Sequence, residues 1–273
     1  MEKKTKIKLL ALQIGSVIGN KGKNTEKVRK HLENCLSKKS ADFVFLPEVW
    51  TSGWDCSSFE ECAEDIENSE SVEMLKNISK KFNTNIIGGS LILKKRNKLY
   101  NSCPVISREG RVVCTYEKNH LFSYYGCDEG KFVNVGDNPV MVVLDGIKIG
   151  ISICYDIRFP ELYREYRKSG ADIMVNMAAW GANKKIPWDS MTTSRAVENQ
   201  VYFVALTQTG KLKNGEKNLG HSMILDYKGD ILSEINKKEG GIYAEVDLNE
   251  MYAFRDKCTI LKDIKDSYEV MIK

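Results

Sequence analysis

Hydrophobic and polar positions alternate most clearly near the middle of the chain. There Ile147, Ile149, Ile151 and Ile153 are separated by Lys148, Gly150 and Ser152. A period of two in β-branched residues predicts a strand. The pattern changes at Cys154: residues 161–168 read as a helix that stops at Gly170, and residues 171–177 form a second buried apolar run. Together they predict a strand–helix–strand unit with Cys154 at the strand-to-helix turn. A similar unit opens the chain. It has a strand over 7–17, a helix over 25–36 capped by Asn24, and a buried strand over 41–46 closed by Pro47 and Glu48. In that helix Val28, Leu32, Cys35 and Leu36 recur at helical spacing.

Between the two units the pattern predicts a helix over 71–82 and strands over 85–93, 99–107 and 112–118. The basic cluster 94–98 reads as a solvated hairpin tip. Residues 120–138 form a long loop rich in glycine and aromatic residues, and loops of that length in compact domains are commonly functional. After the second unit come a helix over 187–198, a buried strand over 201–207, glycine-punctuated strands over 222–226, 231–235 and 241–247, and a mixed, charged tail from about residue 250. Strands outnumber helices and include both crossovers and hairpins. That combination predicts an α/β fold of mixed sheets, with sheet packed on sheet and helices outside. No repeat or linker divides residues 1–273, so the expectation is a single domain.

Composition narrows the partners. With 42% hydrophobic residues the chain supports one sizeable core. Forty-one Lys and Arg against 37 Asp and Glu give a net charge of +4, which demands neither nucleic acid nor an anionic membrane. No run approaches the roughly 18 apolar residues of a membrane span. The first apolar run contains Lys8 and Gln13 and does not read as a secretion signal. Eight scattered cysteines without a C-x-x-C pair, and only three histidines, point to free thiols rather than a disulfide framework or a zinc site. The expectation is a soluble cytoplasmic protein.

Three ionisable residues end three apolar strands: Glu48, Lys118 and Cys154. Strand ends are where open α/β sheets build sites, so the three would meet at one rim of the sheet. A helix N-terminus and Lys118 beside Cys154 would favour a thiolate, and Lys118 would later hold an oxyanion. Glu48 would take the thiol proton, give it to a leaving amine, and then activate water. That is acyl transfer through a thioester. Two other readings stay open: Cys154 as a buried core thiol, and a Cys–His dyad with His120 or His221. Arg158 either binds a substrate carboxylate or pairs with Asp156 or Glu161, the structural use being the favoured one. Trp180 and, less directly, Trp54 are candidate pocket walls.

Three segments, Leu46-Pro-Glu48, Tyr116-Glu-Lys118-Asn-His-Leu-Phe122 and Ile153-Cys154-Tyr-Asp-Ile-Arg-Phe-Pro-Glu-Leu162, resemble in order the motif blocks of the nitrilase superfamily of carbon–nitrogen hydrolases. The segments 194–202 and 220–229 resemble two more, so the likeness spans essentially the whole chain. It implies a four-layer α-β-β-α sandwich that pairs through its helices into a homodimer. It implies Glu48 as general base, Lys118 as oxyanion stabiliser and Cys154 as nucleophile. It also implies a second, substrate-positioning glutamate, best matched by Glu129, with Asp128 as the competitor. The backbone N–H of Tyr155 would complete the oxyanion hole, and both histidines would be structural. No cofactor or metal is implied. Within the superfamily the sequence resembles the short amidase branch, close to the ω-amidases, whose substrates are small dicarboxylate monoamides. An N-carbamoyl amino acid amidohydrolase is the alternative within the chemistry. A non-catalytic binding protein on the same fold is the alternative outside it.

Overall fold

The computed structural model describes residues 4–124, 126–212, 215–265, 267 and 269–272. The chain runs β1 (Lys6–Gln13), α1 (Lys21–Lys38), β2 (Phe43–Phe45), α2 (Phe59–Cys62), β3 (Glu64–Asp65), α3 (Glu70–Phe82), β4 (Asn85–Ile87), β5 (Leu91–Lys95), β6 (Lys98–Ile106) and β7 (Val112–Glu117). It continues with β8 (Met141–Leu144), β9 (Ile147–Ile153), α4 (Pro160–Lys168), β10 (Ile173–Ala178), α5 (Lys185–Asn199), β11 (Tyr202–Thr207), β12 (Ser222–Leu225), β13 (Ile231–Ile235), β14 (Gly240–Asp247) and α6 (Leu248–Lys257).

Among the described residues the strands form two sheets. The first has eight strands in the order β14-β1-β2-β4-β6-β5-β3, with β7 also paired to β6; the second has six, β13-β12-β11-β10-β9-β8. Both are mixed. β1, β2 and β4 run parallel, as do β9, β10 and β11, while hairpin partners run antiparallel.

Alternation along the strands sorts residues into layers. In β1 and β2, Leu10, Leu12 and Val44 pack with Val28, Leu32, Val72 and Leu75 of α1 and α3 on the outer face. Leu9, Ala11, Phe43 and Phe45 face inward and share one cluster with Ile149, Ile151 and Ile153. In β9 the intervening small residues receive α4. The Ser152 hydroxyl lies 2.6 Å from the Tyr163 hydroxyl, and a Cβ on Gly150 would fall 2.8 Å from the Tyr166 ring. So the isoleucines fill the space between the sheets, and the gaps between them seat a helix. Full burial of each such side chain is worth about 1.5–3 kcal/mol. The result is the expected α-β-β-α sandwich.

Several local expectations shift. The first helix begins at Lys21 and is capped by Asn20, whose side chain accepts from the Lys23 N–H at 3.1 Å. Asn24 is buried inside it and ties Val17 to Thr51 instead. The strand read over 7–17 ends at Gln13. The strand read over 85–93 is two strands, β4 and β5, broken at Gly88 and Gly89. The tail read from about residue 250 contains most of α6, which buries Leu248 and Met251. The basic cluster is indeed a hairpin tip: Lys95 pairs with Lys98, and Arg96 and Asn97 take positive φ.

Candidate active site

Glu48 leaves β2 on a sharp turn. The next residue, Val49, has φ of 39°, a strained value for a β-branched side chain. The turn is held by the β4–β5 break. The Val49 N–H donates to the Ser90 hydroxyl at 2.8 Å, and the Ser90 N–H donates to the Pro47 carbonyl at 3.0 Å. Gly89 packs so closely that a Cβ there would lie 2.2 Å from the Pro47 oxygen. Lys118 follows β7, and Cys154 follows β9 with φ of 45°. Glu129 comes from the long loop, at the start of a short 3-10 turn, Glu129–Lys131.

The structure brings these residues together. Glu48, Lys118 and Glu129 are fully buried and Cys154 nearly so. The Lys118 Nζ donates to Glu48 Oε1 at 2.8 Å and to Glu129 Oε2 at 2.9 Å. It also sits 5.1 Å from the Trp54 ring centre. Glu48 Oε2 accepts from the Ala179 N–H at 2.8 Å, just beyond β10. Burial pushes the Glu48 carboxyl above its ordinary value; Lys118 pulls against this and Glu129 adds to it. Burial works against the Lys118 ammonium, but Glu129 and Glu48 outweigh it and hold its pKa well above the usual lysine range.

Two expectations change here. The three strand ends meet where the two sheets face each other, not at one rim: Glu48 and Lys118 leave the eight-stranded sheet and Cys154 the six-stranded one. Nor does the setting of Cys154 favour a thiolate. Burial pushes its thiol well above the usual range, and Glu48 adds to the push while Lys118 opposes it. The cysteine opens a short 3-10 helix, Cys154–Arg158, and the α-helix follows only at Pro160; that single turn does not offset the burial of the sulfur. The thiol is poised against a carboxylate.

Of the two acids in the loop, Glu129 turns inward and Asp128 is exposed beside Lys131. His120 and His221 are both engaged with other groups. His120 Nδ1 lies 2.8 Å from Asp156 Oδ1, and its ring stacks on Phe159 at 3.7 Å. His221 lies beside Asp189 and Asn236. Asp156 also accepts from the Tyr116 hydroxyl at 2.6 Å and from the Ile153 N–H at 2.8 Å. It therefore ties the Cys154 turn to the strand that carries Lys118, and it is not the partner of Arg158. The Arg158 guanidinium instead sits among Trp180, Tyr124 and Tyr155 at 5.4–5.9 Å from their ring centres. Its Nε is buried without a hydrogen-bond partner among the described residues.

These residues surround a cavity of about 230 Å³ whose walls include Trp54, Phe122, Cys154, Tyr155, Arg158 and Trp180. Lys184 and Glu216 stand at the same cavity. It lies below the 300–1,000 Å³ typical of drug-sized ligands and suits a substrate of few atoms. A larger groove of about 920 Å³ between α1 and α3 contains none of these groups, and its basic residues pair with acids of the same groove, as in Arg29 with Glu33 at 2.8 Å.

One residue escaped the sequence reading. Asn101 of β6 is fully buried, and its Nδ2 donates to Glu48 Oε1 and to Glu129 Oε1, both at 3.0 Å. A lone amide in a strand otherwise set among apolar residues was the available signal.

Residues 9–256 match the carbon-nitrogen hydrolase family. The chain is 35% identical over 250 residues to the 2-oxoglutaramate amidase of Bacillus subtilis, covering 90% of this chain and 95% of that protein. It is 29% identical over 275 residues to omega-amidase NIT2 of Homo sapiens, covering 98% of each. Among solved structures, Saccharomyces cerevisiae Nit3, a member of branch 10 of the nitrilase superfamily, matches with a TM-score of 0.85 at 29% identity, covering 93% of this chain and 94% of that one. With its layered sheets, its motif blocks and these relatives in agreement, the chain belongs to the carbon–nitrogen hydrolases of the nitrilase superfamily.

Proposed function

We propose that this enzyme hydrolyses the terminal amide of a small dicarboxylate monoamide of the 2-oxoglutaramate kind, through a thioester on Cys154. The observation that carries the reading is the buried Lys118, held between Glu48 and Glu129 and packed against Trp54, beside a small cavity whose wall presents Trp54, Cys154 and the Arg158 guanidinium. The likeness to the 2-oxoglutaramate amidase of Bacillus subtilis and to omega-amidase NIT2 of Homo sapiens supports the same substrate class.

Cys154 Sγ attacks the amide carbon while Glu48 takes the thiol proton. A neutral thiol beside a carboxylate suits this coupled transfer, because the charged thiolate need never stand alone in an apolar cavity. The oxyanion faces the Lys118 ammonium and the Tyr155 N–H. Glu48 returns the proton to the nitrogen and ammonia leaves, which yields the thioester. Water then enters, Glu48 deprotonates it, and the acid product departs as Cys154 regains its proton. Glu129 orients Lys118 and the substrate amide. Arg158 binds the distal carboxylate, with Trp180 and Trp54 as walls, since a planar guanidinium matches a carboxylate in two parallel bonds.

Ammonia release from 2-oxoglutaramate, succinamate, glutaramate, N-carbamoyl-β-alanine and a simple nitrile tests this. Turnover on the ω-amides is expected, falling about a thousandfold or more in Cys154→Ala. Turnover confined to the carbamoyl compound would assign the enzyme to that substrate instead. Silence on the whole panel would favour a binding role.

We further infer a single domain over residues 1–273, assembled as a homodimer through the α4–α5 layer and working in the cytoplasm. The exposed apolar Val197 and Ile186 on α5 support the dimer. The described free cysteines support a reducing compartment. Finding the chain in an oxidising compartment would refute that placement.

A further inference from the structure

Two thiols stand beside the site without a part in the proposed chemistry. Cys56 opens the 3-10 turn Cys56–Ser58, two residues after Trp54. Cys127 lines the cavity, two residues before Glu129. They are 71 positions apart in sequence, yet their Sγ atoms lie 3.9 Å apart, and both are free and half-buried. A disulfide would bring the sulfurs to about 2 Å, so each loop would move about 1 Å if they shared the change. The Cys127 loop has room to give. Gly126, at φ of 74°, precedes the cysteine, and a Cβ there would meet nothing within 4 Å.

We propose that Cys56 and Cys127 are a modification site: they form a reversible intramolecular disulfide that fastens the Trp54 loop to the Glu129 loop and shuts the enzyme down. Glu129 is held by three contacts, to Lys118, Asn101 and the Phe122 N–H, at 2.9, 3.0 and 2.8 Å. A shift of about 1 Å in such a constellation costs on the order of a hundredfold in rate.

The oxidant is a low-molecular-weight disulfide such as oxidised glutathione. Cys127, half-buried at the cavity wall, attacks one of its sulfurs and releases one glutathione. Cys56 then attacks the Cys127 sulfur and releases the second. One Sγ–Sγ bond forms, the glutathione disulfide is reduced to two thiols, and the two protein thiol protons end on them. Burial raises both protein thiols. The pair therefore exchanges slowly and answers to a sustained shift in redox poise rather than a brief pulse.

The test incubates the full chain with oxidised glutathione, blocks free thiols with N-ethylmaleimide and digests with trypsin without reduction. The expected result is a disulfide-linked pair of peptides 40–76 and 119–131, with at least a tenfold loss of ammonia release that dithiothreitol restores. Peptide 40–76 also carries Cys62, so Cys56→Ser assigns the link. That variant should keep its reduced activity and lose both the link and the sensitivity. The proposal is overturned if no link forms, if it persists in Cys56→Ser, if the linked protein stays active, or if Cys56→Ser is inactivated equally, which would place the loss on Cys154 or on a Cys127–glutathione adduct rather than on the link. The inactivation half of the proposal rests on the amidase reading. The peptide link does not, so the two fail separately.

Discussion

A lysine ammonium sealed between two carboxylates is the feature from which most of the chemistry follows. A lone buried charge is very costly. Here Lys118 has two counter-charges, and each carboxylate has further donors in Asn101, Ala179 and Phe122. Glu48 nonetheless holds its proton more tightly than an exposed glutamate. As the proposed base it works only when deprotonated, so kcat/KM should fall as pH drops through that raised value. The acid limb of the free-enzyme profile is expected above 4.5, the ordinary value for glutamate, and a limb at or below 4.5 would remove Glu48 from that role. The stability signs follow from linkage. Glu48's raised pKa favours the fold below its unfolded value, and this is lost as pH rises through the folded value. Lys118's raised pKa favours the fold below 10.5, and this is lost only as pH climbs through its own raised value. Asn101→Ala removes the donor shared by both acids. The expected cost is about 1.5–3 kcal/mol in urea unfolding, with kcat/KM down roughly a hundredfold from the misplaced carboxylates. Unchanged kinetics would reduce Asn101 to a packing residue.

At the scale of elements, the strand–helix–strand units were legible because their periods of 2 and 3.6 are local properties of sequence. The Ile147–Ile153 alternation marked the strand, but not that its isoleucines would face the other sheet or that Gly150 and Ser152 would seat α4. What stayed hidden depends on distant partners. Gly88 and Gly89 read as residues within one strand; their work is to break it and brace the Glu48 turn across 40-odd positions of chain. Asn24 looked like a cap because it precedes an apolar period, but Asn20 competes from one turn earlier. Gly89→Ala tests the brace. A side chain at φ of 65°, directed at the Pro47 oxygen, should cost about 1–3 kcal/mol. It should also lower kcat by displacing Glu48. A variant with normal kcat and lowered thermal stability would show that the turn holds its shape unaided.

For the whole molecule, Glu48, Lys118 and Cys154 were found from the ends of apolar strands and from their motif blocks. Their meeting between two sheets was not, since no local pattern reports which sheet a strand joins. Glu129 came only with the family resemblance. The Asp156–Tyr116–His120 tie has no sequence-local signature, and Asn101 has only the faint one of a lone amide in a largely apolar strand. Sedimentation at micromolar concentration should give the mass of two chains, and Val197→Glu should shift it toward one. A single-chain mass for the unaltered protein would refute pairing through the α4–α5 layer.

Because the sulfur rides on one sheet and its proposed base on the other, the filling between them acts as a gauge block. Its thickness sets the distance across which a proton must hop. The isoleucines of β9 and the phenylalanines of β2 are therefore answerable to a length as well as to oiliness. Substitutions that keep the volume but alter the shape of this layer would leave the melting curve intact and still detune turnover, at positions that never touch a substrate.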